Sequence, residues 1–101
     1  MIYQGCTYNL PVQVKIAGQA VTNKDVKLIE FTLGEVVKKY PNDATFDGEK
    51  FIISLTQEDT FKLSAEGPTL CQIRVKFNDD SVKPSKPQPK AIGPSISKEV
   101  L

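Results

Sequence analysis

Glu58 and Asp59 stand side by side directly after Thr56-Gln57, and their types and spacing invite a chemical reading first. A paired acid and base would need the two pKa values driven apart inside a cleft. The same four residues also have the form of a helix N-terminus. There a threonine hydroxyl accepts from a backbone N–H three residues on, and acidic side chains complement the positive end of the turn. A solvated helix cap is the expected role of these residues. Asn78-Asp79-Asp80-Ser81 has the look of a calcium loop but lacks the spaced ligands and the distal glutamate of one. Cys6 and Cys71 are the only cysteines and histidine is absent, which removes the commonest general base and metal ligand together. Two cysteines without a third soft ligand do not make an ordinary structural zinc site. No serine or cysteine has a base in view, and no glycine-rich phosphate loop is present. The expectation is a chain that is not an enzyme, with no catalytic, cofactor-binding or metal-binding residues.

Composition narrows the partners. The chain has 101 residues, 40% hydrophobic and 25% charged, which fits one folded domain with a modest core. Thirteen basic and twelve acidic side chains leave a net charge of +1. That balance supplies no field for a polyanion, so neither nucleic acid nor a membrane is an expected partner. No strand face gathers lysine or arginine, so a local basic patch is not expected either. No apolar run approaches the ~20 residues needed to cross a bilayer. Met-Ile-Tyr-Gln-Gly-Cys has neither a basic flank nor an apolar stretch of the secretory kind, so a chain complete as written is expected to stay in the cytoplasm where it is made.

The elements that must position these residues are strands. Cys6, Tyr8, Leu10, Val12, Val14 and Ile16 recur every second residue with polar residues between them, the pattern of a half-buried strand. Pro11 within it marks an edge or a bulge. Val26 to Leu33 is a second strand with Ile29, Phe31 and Leu33 on one face; Val26 and Leu28 lie opposite, so either both faces are partly covered or the strand is bulged near its start. Gly34 turns into Glu35–Tyr40, where Val36 and Tyr40 share a face and Lys38-Lys39 protects an exposed edge. Ala44–Phe46 and Phe51–Leu55 flank Asp47-Gly48, a two-residue hairpin signal. A helical turn near residues 56–62 follows, with Phe61 and Leu63 returning to the core. Cys71, Ile73, Val75 and Phe77 then alternate with Gln72, Arg74 and Lys76 in the cleanest strand of the chain. Both cysteines sit at inward positions of these patterns. A disulfide between them stays open, though two reduced, buried, small side chains are favoured in a reducing compartment.

After Ser81 the composition changes. Lys83, Pro84, Lys86, Pro87, Pro89, Lys90 and Pro94 favour an extended segment that cannot join a central ladder. Pro84-Ser85-Lys86-Pro87 fits the minimal PxxP pattern, but an edge or a tail is preferred. The organisation expected is a β-sandwich over 1–81, a Lys/Pro-rich segment over 82–94, and a last short strand or docking tail over 95–101. Ile92, Ile96, Val100 and Leu101 are the expected protein-contact residues, or else they complete the monomer's own core.

About seven short strands, turn signals every 8–12 residues or so and no long helix read as all-β, an Ig-like antiparallel β-sandwich. The Leu55–Thr60 connector before the Cys71 strand matches the crossing between the fifth and sixth strands of such domains. Trp is absent and Cys6 falls on the first strand instead of the second, unlike antibody domains.

The stretch Ile53–Phe61, then Cys71-Gln72-Ile73-Arg74-Val75-Lys76-Phe77, resembles a family of small Ig-like proteins encoded among tail and baseplate genes of Firmicutes phages and prophages. Gln4-Gly5-Cys6-Thr7 resembles their opening strand, and Ser97–Leu101 their apolar tail. Lys83–Pro94 departs from their tighter turn and plain last strand. The resemblance implies a non-enzymatic structural or assembly module of a tail or baseplate, present in the host cytoplasm during assembly and then in the virion, and the expected contacts are its sheet edges together with the apolar C-terminal tail. Its partners would be copies of itself in a homo-oligomer, other tail or baseplate proteins, or both. The alternative is an Ig-like cell-surface or glycan- or protein-binding module, which would need exposed aromatics among Tyr3, Tyr8 and Tyr40.

Overall fold

The computed structural model describes residues 1–101, and its elements follow the period-two faces closely. The strands are β1 (Ile2–Tyr3), β2 (Tyr8–Val12), β3 (Lys15–Ile16), β4 (Gln19–Ala20), β5 (Val26–Leu33), β6 (Val36–Tyr40), β7 (Ala44–Phe46), β8 (Phe51–Leu55), β9 (Thr69–Phe77), β10 (Val82–Pro84), β11 (Gln88–Lys90) and β12 (Ile92–Gly93). The one helix, α1, is Gln57–Phe61.

Two sheets face each other. One has the order β10–β9–β5–β6, with β11 continuing β10 along the same side of β9. The other has the order β2–β8–β7. Counting β10 and β11 as one interrupted strand, seven strands make the two layers of an all-β sandwich. Ile29, Phe31, Leu33, Cys71, Ile73 and Val75 from the first sheet meet Leu10, Phe51, Ile53 and Leu55 from the second. Phe51 is fully buried at the centre. Around it stand Phe46 at 4.6 Å, Tyr40 edge-on at 5.0 Å and Phe31 at 6.2 Å between ring centroids. Such ring pairs add about 0.5–1.5 kcal/mol each beyond the area they bury.

Local chemistry sets the joints. Gly34, with φ +58°, turns β5 into β6 across a two-residue loop. A register shift between Val26 and Leu28 bulges the start of β5, one of the two arrangements expected there. Pro11 does sit on an edge strand, since β2 pairs only with β8. Thr56 caps α1 through a complete capping box. Its hydroxyl accepts from the Asp59 N–H at 3.1 Å, and the Asp59 carboxylate accepts from the Thr56 N–H at 2.9 Å.

Several expectations are corrected. Cys6 is exposed, because Gly5 at φ +76° turns the chain between β1 and β2 and leaves Cys6 outside any strand. Cys71 is buried on β9, and both thiols are free. The β7–β8 loop has four residues, not two. The Asp47 carboxylate accepts from the N–H groups of Glu49 and Lys50 and so needs both inside the turn. Antiparallel pairing is broken once, where β1 runs parallel to β12 with Ile2 opposite Ile92. The Lys/Pro-rich segment pairs along β9 as the edge of the larger sheet.

Candidate interaction surface

Four sheet edges and one tail could meet a partner, and the edges are each blunted. β2 carries Pro11, which has no N–H to offer. β7 is three residues long. On β10–β11, Pro84, Pro87 and Pro89 remove donors. Between them Ser85 turns back on β9: its N–H donates to the Ile73 carbonyl at 2.7 Å and its Oγ accepts from the Ile73 N–H at 3.1 Å. The PxxP stretch is therefore held in the sheet by its own serine.

β6 is blunted by two devices. The outward-facing N–H of Lys39 donates to the Asp43 carboxylate at 3.0 Å, and its carbonyl accepts from the Asp43 N–H at 2.6 Å. By the alternation of the ladder, only the backbone of Val37 is left on that side. Lys38 points inward and pairs with Asp59 at 2.8 Å, the side chains being 19% and 14% exposed. The expectation for the two lysines is protection of an exposed edge, one on each face of the strand. Lys38 lies with Val36 and Tyr40 on the core side, and α1 supplies the counter-charge there. An inward charge of this kind discourages edge-to-edge pairing.

That pair also decides the role of Asp59. Burial pushes its pKa up, but the Lys38 ammonium and the Thr56 donors outweigh it and hold the carboxyl below its ordinary value. An acid of that kind stays ionised, and it is spent on the cap and the β6 contact. Glu58 is exposed on the outer side of the same turn. The two carboxylates therefore do not form a general acid–base pair. In the turn after β9, Asp79 accepts from the Ser81 N–H at 3.0 Å and hydroxyl at 2.6 Å, and Asp80 pairs with Lys27 at 2.7 Å. A depression of about 510 Å³ beside the β3–β4 hairpin includes Asp25 and Asp79 in its wall. Asp25 is taken up by the Thr22 N–H and hydroxyl.

The tail is different. Ile92, the first of the expected contact residues, is 5% exposed beneath β1 and belongs to the core, because its strand is the parallel partner of Ile2. It is not available to a partner. Ile96, Val100 and Leu101 are 105%, 55% and 99% exposed. What holds their backbone is two glutamines. The Gln57 side chain accepts from the Leu101 N–H at 2.6 Å and donates to the Leu101 carbonyl at 3.3 Å, across the first turn of α1. The Gln4 carbonyl oxygen accepts from the Ser95 N–H at 3.3 Å and the Lys98 ammonium at 3.2 Å, while its amide donates to the Leu63 carbonyl at 2.6 Å. Thr60, fully buried, donates its hydroxyl to the carbonyls of Cys6 and Gln57 and so ties the β1–β2 turn to α1. Both glutamines fall in stretches singled out in the sequence, but nothing there marks them as contacts to the tail, since a polar residue in a turn carries no periodic signal. Of the tyrosines, Tyr3 is exposed, whereas Tyr40 packs on Phe51 and Tyr8 is half-buried against the core.

Searches for similar proteins found no match among protein-family models, curated proteins or solved structures.

Proposed function

We propose that this chain is a non-enzymatic structural module of a phage or prophage tail or baseplate that assembles through its C-terminal tail. The observation that carries this is the contrast between the blunted edges of both sheets and the outward display of Ile96, Val100 and Leu101. Burying three such side chains supplies about 1.5–3 kcal/mol each at most. Together that is no more than comparable with the about 4–15 kcal/mol cost of association, so a single contact leaves little surplus and is weak, and a closed ring that repeats it is strong. The Gln57 and Gln4 contacts fix the tail's backbone against the fold, which lowers the ordering cost when its side chains are covered. The resemblance read in Ile53–Phe61 and Cys71–Phe77 is what motivates the choice of partner class, namely other copies and neighbouring tail proteins.

The experiment is to isolate sedimenting tail or virion particles from cells that express the chain from its native locus and to look for its peptides by quantitative mass spectrometry. The chain should co-sediment at a fixed multiple of a tail component and be lost from the particles when Ile96 and Leu101 are replaced by serine. Exclusive recovery in the soluble fraction would overturn the proposal.

A further inference from the structure

A second surface emerges from three lysines that are far apart in sequence. Lys15 on β3, Lys86 between β10 and β11, and Lys90 on β11 line one cleft of about 150 Å³, together with Pro11, Val12, Gln13, Cys71, Ile73, Ser85 and Gln88. No carboxylate lines this cleft. None of the three ammonium groups has a salt bridge or a hydrogen-bond partner; the paired cations of this protein are Lys27, Lys38, Arg74 and Lys98. A chain of net charge +1 therefore gathers three uncompensated positive charges around one concavity. The evenly balanced composition gave no sign of such a patch.

Edge protection accounts for Lys86 and Lys90 on the outer strand, where lysines discourage pairing. It does not account for Lys15, which comes from the β3–β4 hairpin and lies outside that strand and its sheet. The cleft has an apolar floor, with Cys71 and Ile73 both buried. Low-dielectric walls under charges of one sign concentrate the field and raise the local concentration of a counter-ion. The Cys71 thiol registers that field: burial pushes its pKa up, and the Lys90 charge acts against the rise.

We propose that this cleft is an oxyanion-binding site. The chemistry it recognises is a compact group with two or more negative oxygens, which either a phosphate or a pair of carboxylates from a partner protein supplies. The site shares no residue with the tail, so this titration and the tail truncation are read separately.

The test is a titration of the full chain, uniformly labelled with nitrogen-15, with inorganic phosphate and separately with succinate at low ionic strength. Amide shifts that saturate and centre on Lys15, Cys71, Lys86 and Lys90 are expected for at least one ligand. Phosphate alone identifies a phosphate site, and succinate identifies a carboxylate site. The Lys15→Gln/Lys86→Gln/Lys90→Gln variant should bind about tenfold more weakly or worse, since each exposed charge contributes only modestly. Lys86→Arg/Lys90→Arg should retain binding. Shifts that stay linear with both ligands, or that spread evenly over all lysines, would overturn the proposal. So would unchanged affinity in the triple glutamine variant.

Discussion

Replacing Asp59 by asparagine tests how the helical connector is bound to the sandwich. The carboxylate does two jobs: it accepts from the Thr56 N–H at 2.9 Å to close the cap, and from Lys38 at 2.8 Å to hold β6. Asparagine keeps an acceptor for the first and loses the charge for the second. Exchanging charge-assisted hydrogen bonds for neutral ones costs about 1–2 kcal/mol. Stranding a fully buried Lys38 would raise the cost to about 3–5 kcal/mol. At 19% exposure its ammonium can reach water instead. The expected loss is therefore about 2 kcal/mol, or a fall in Tm of roughly 8–16 °C for a domain of this size. Urea denaturation of wild type, Asp59→Asn, Lys38→Met and the double variant measures this directly. The double variant should be less destabilised than the sum of the singles by about 1 kcal/mol.

The sign of the pH dependence follows from the lowered pKa of Asp59. A carboxyl that ionises more readily folded than unfolded stabilises above its unfolded pKa of about 3.9, and the benefit is lost as pH falls through the folded value. The gap between wild type and Asp59→Asn should accordingly be full at neutral pH and close in acid. Equal denaturation midpoints at neutral pH, or a gap that persists unchanged at low pH, would refute the assignment.

Truncation after Asp80 should unfold the chain by circular dichroism, because it removes β10–β12 and the buried Ile92, whereas truncation after Pro94 should leave the spectrum and Tm nearly unchanged. Ile92→Ala should cost about 2–5 kcal/mol in urea denaturation, the usual range for emptying a core site. Gly93→Ala should cost about 1–3 kcal/mol, since an added methyl would enter the Tyr3 ring, and Gly93→Ala/Tyr3→Ala should recover part of it. A thiol reagent should modify Cys6 rapidly in the native chain and Cys71 only on unfolding, because Cys71 is 7% exposed and burial raises its pKa.

Much of the sandwich could be read from the sequence where burial imposes a strict period. Phe31 and Leu33, and Ile73 and Val75, mark their faces without ambiguity because both neighbours of each are polar or glycine, whereas Leu28 beside Ile29 and Leu70 beside Cys71 blur the alternation at the start of each strand. The α1 cap was equally legible, since Thr56 and Asp59 satisfy one another within four residues. Lys38 was half legible. Its spacing from Val36 and Tyr40 puts it on the core side, but nothing local says that Asp59 waits there. The β1–β12 pair was not legible, as two-residue strands have no period and their parallel partners lie at opposite ends of the chain. Cys6 misled because it extends the alternation of Tyr8, Leu10 and Val12 by one step, and only the left-handed backbone at Gly5 breaks it. Of the four tail residues, Ile92 is separated from Ile96, Val100 and Leu101 by Pro94, after which the chain forms no further strand.

The role given to the tail is tested most directly by light scattering coupled to size exclusion, run over a wide concentration series on the full chain and on the chain ending at Pro94. A mass that climbs with concentration for the full chain, beside a shortened chain that stays folded and monomeric throughout, is the predicted result. Identical monomer masses for both at every concentration would contradict tail-driven self-assembly.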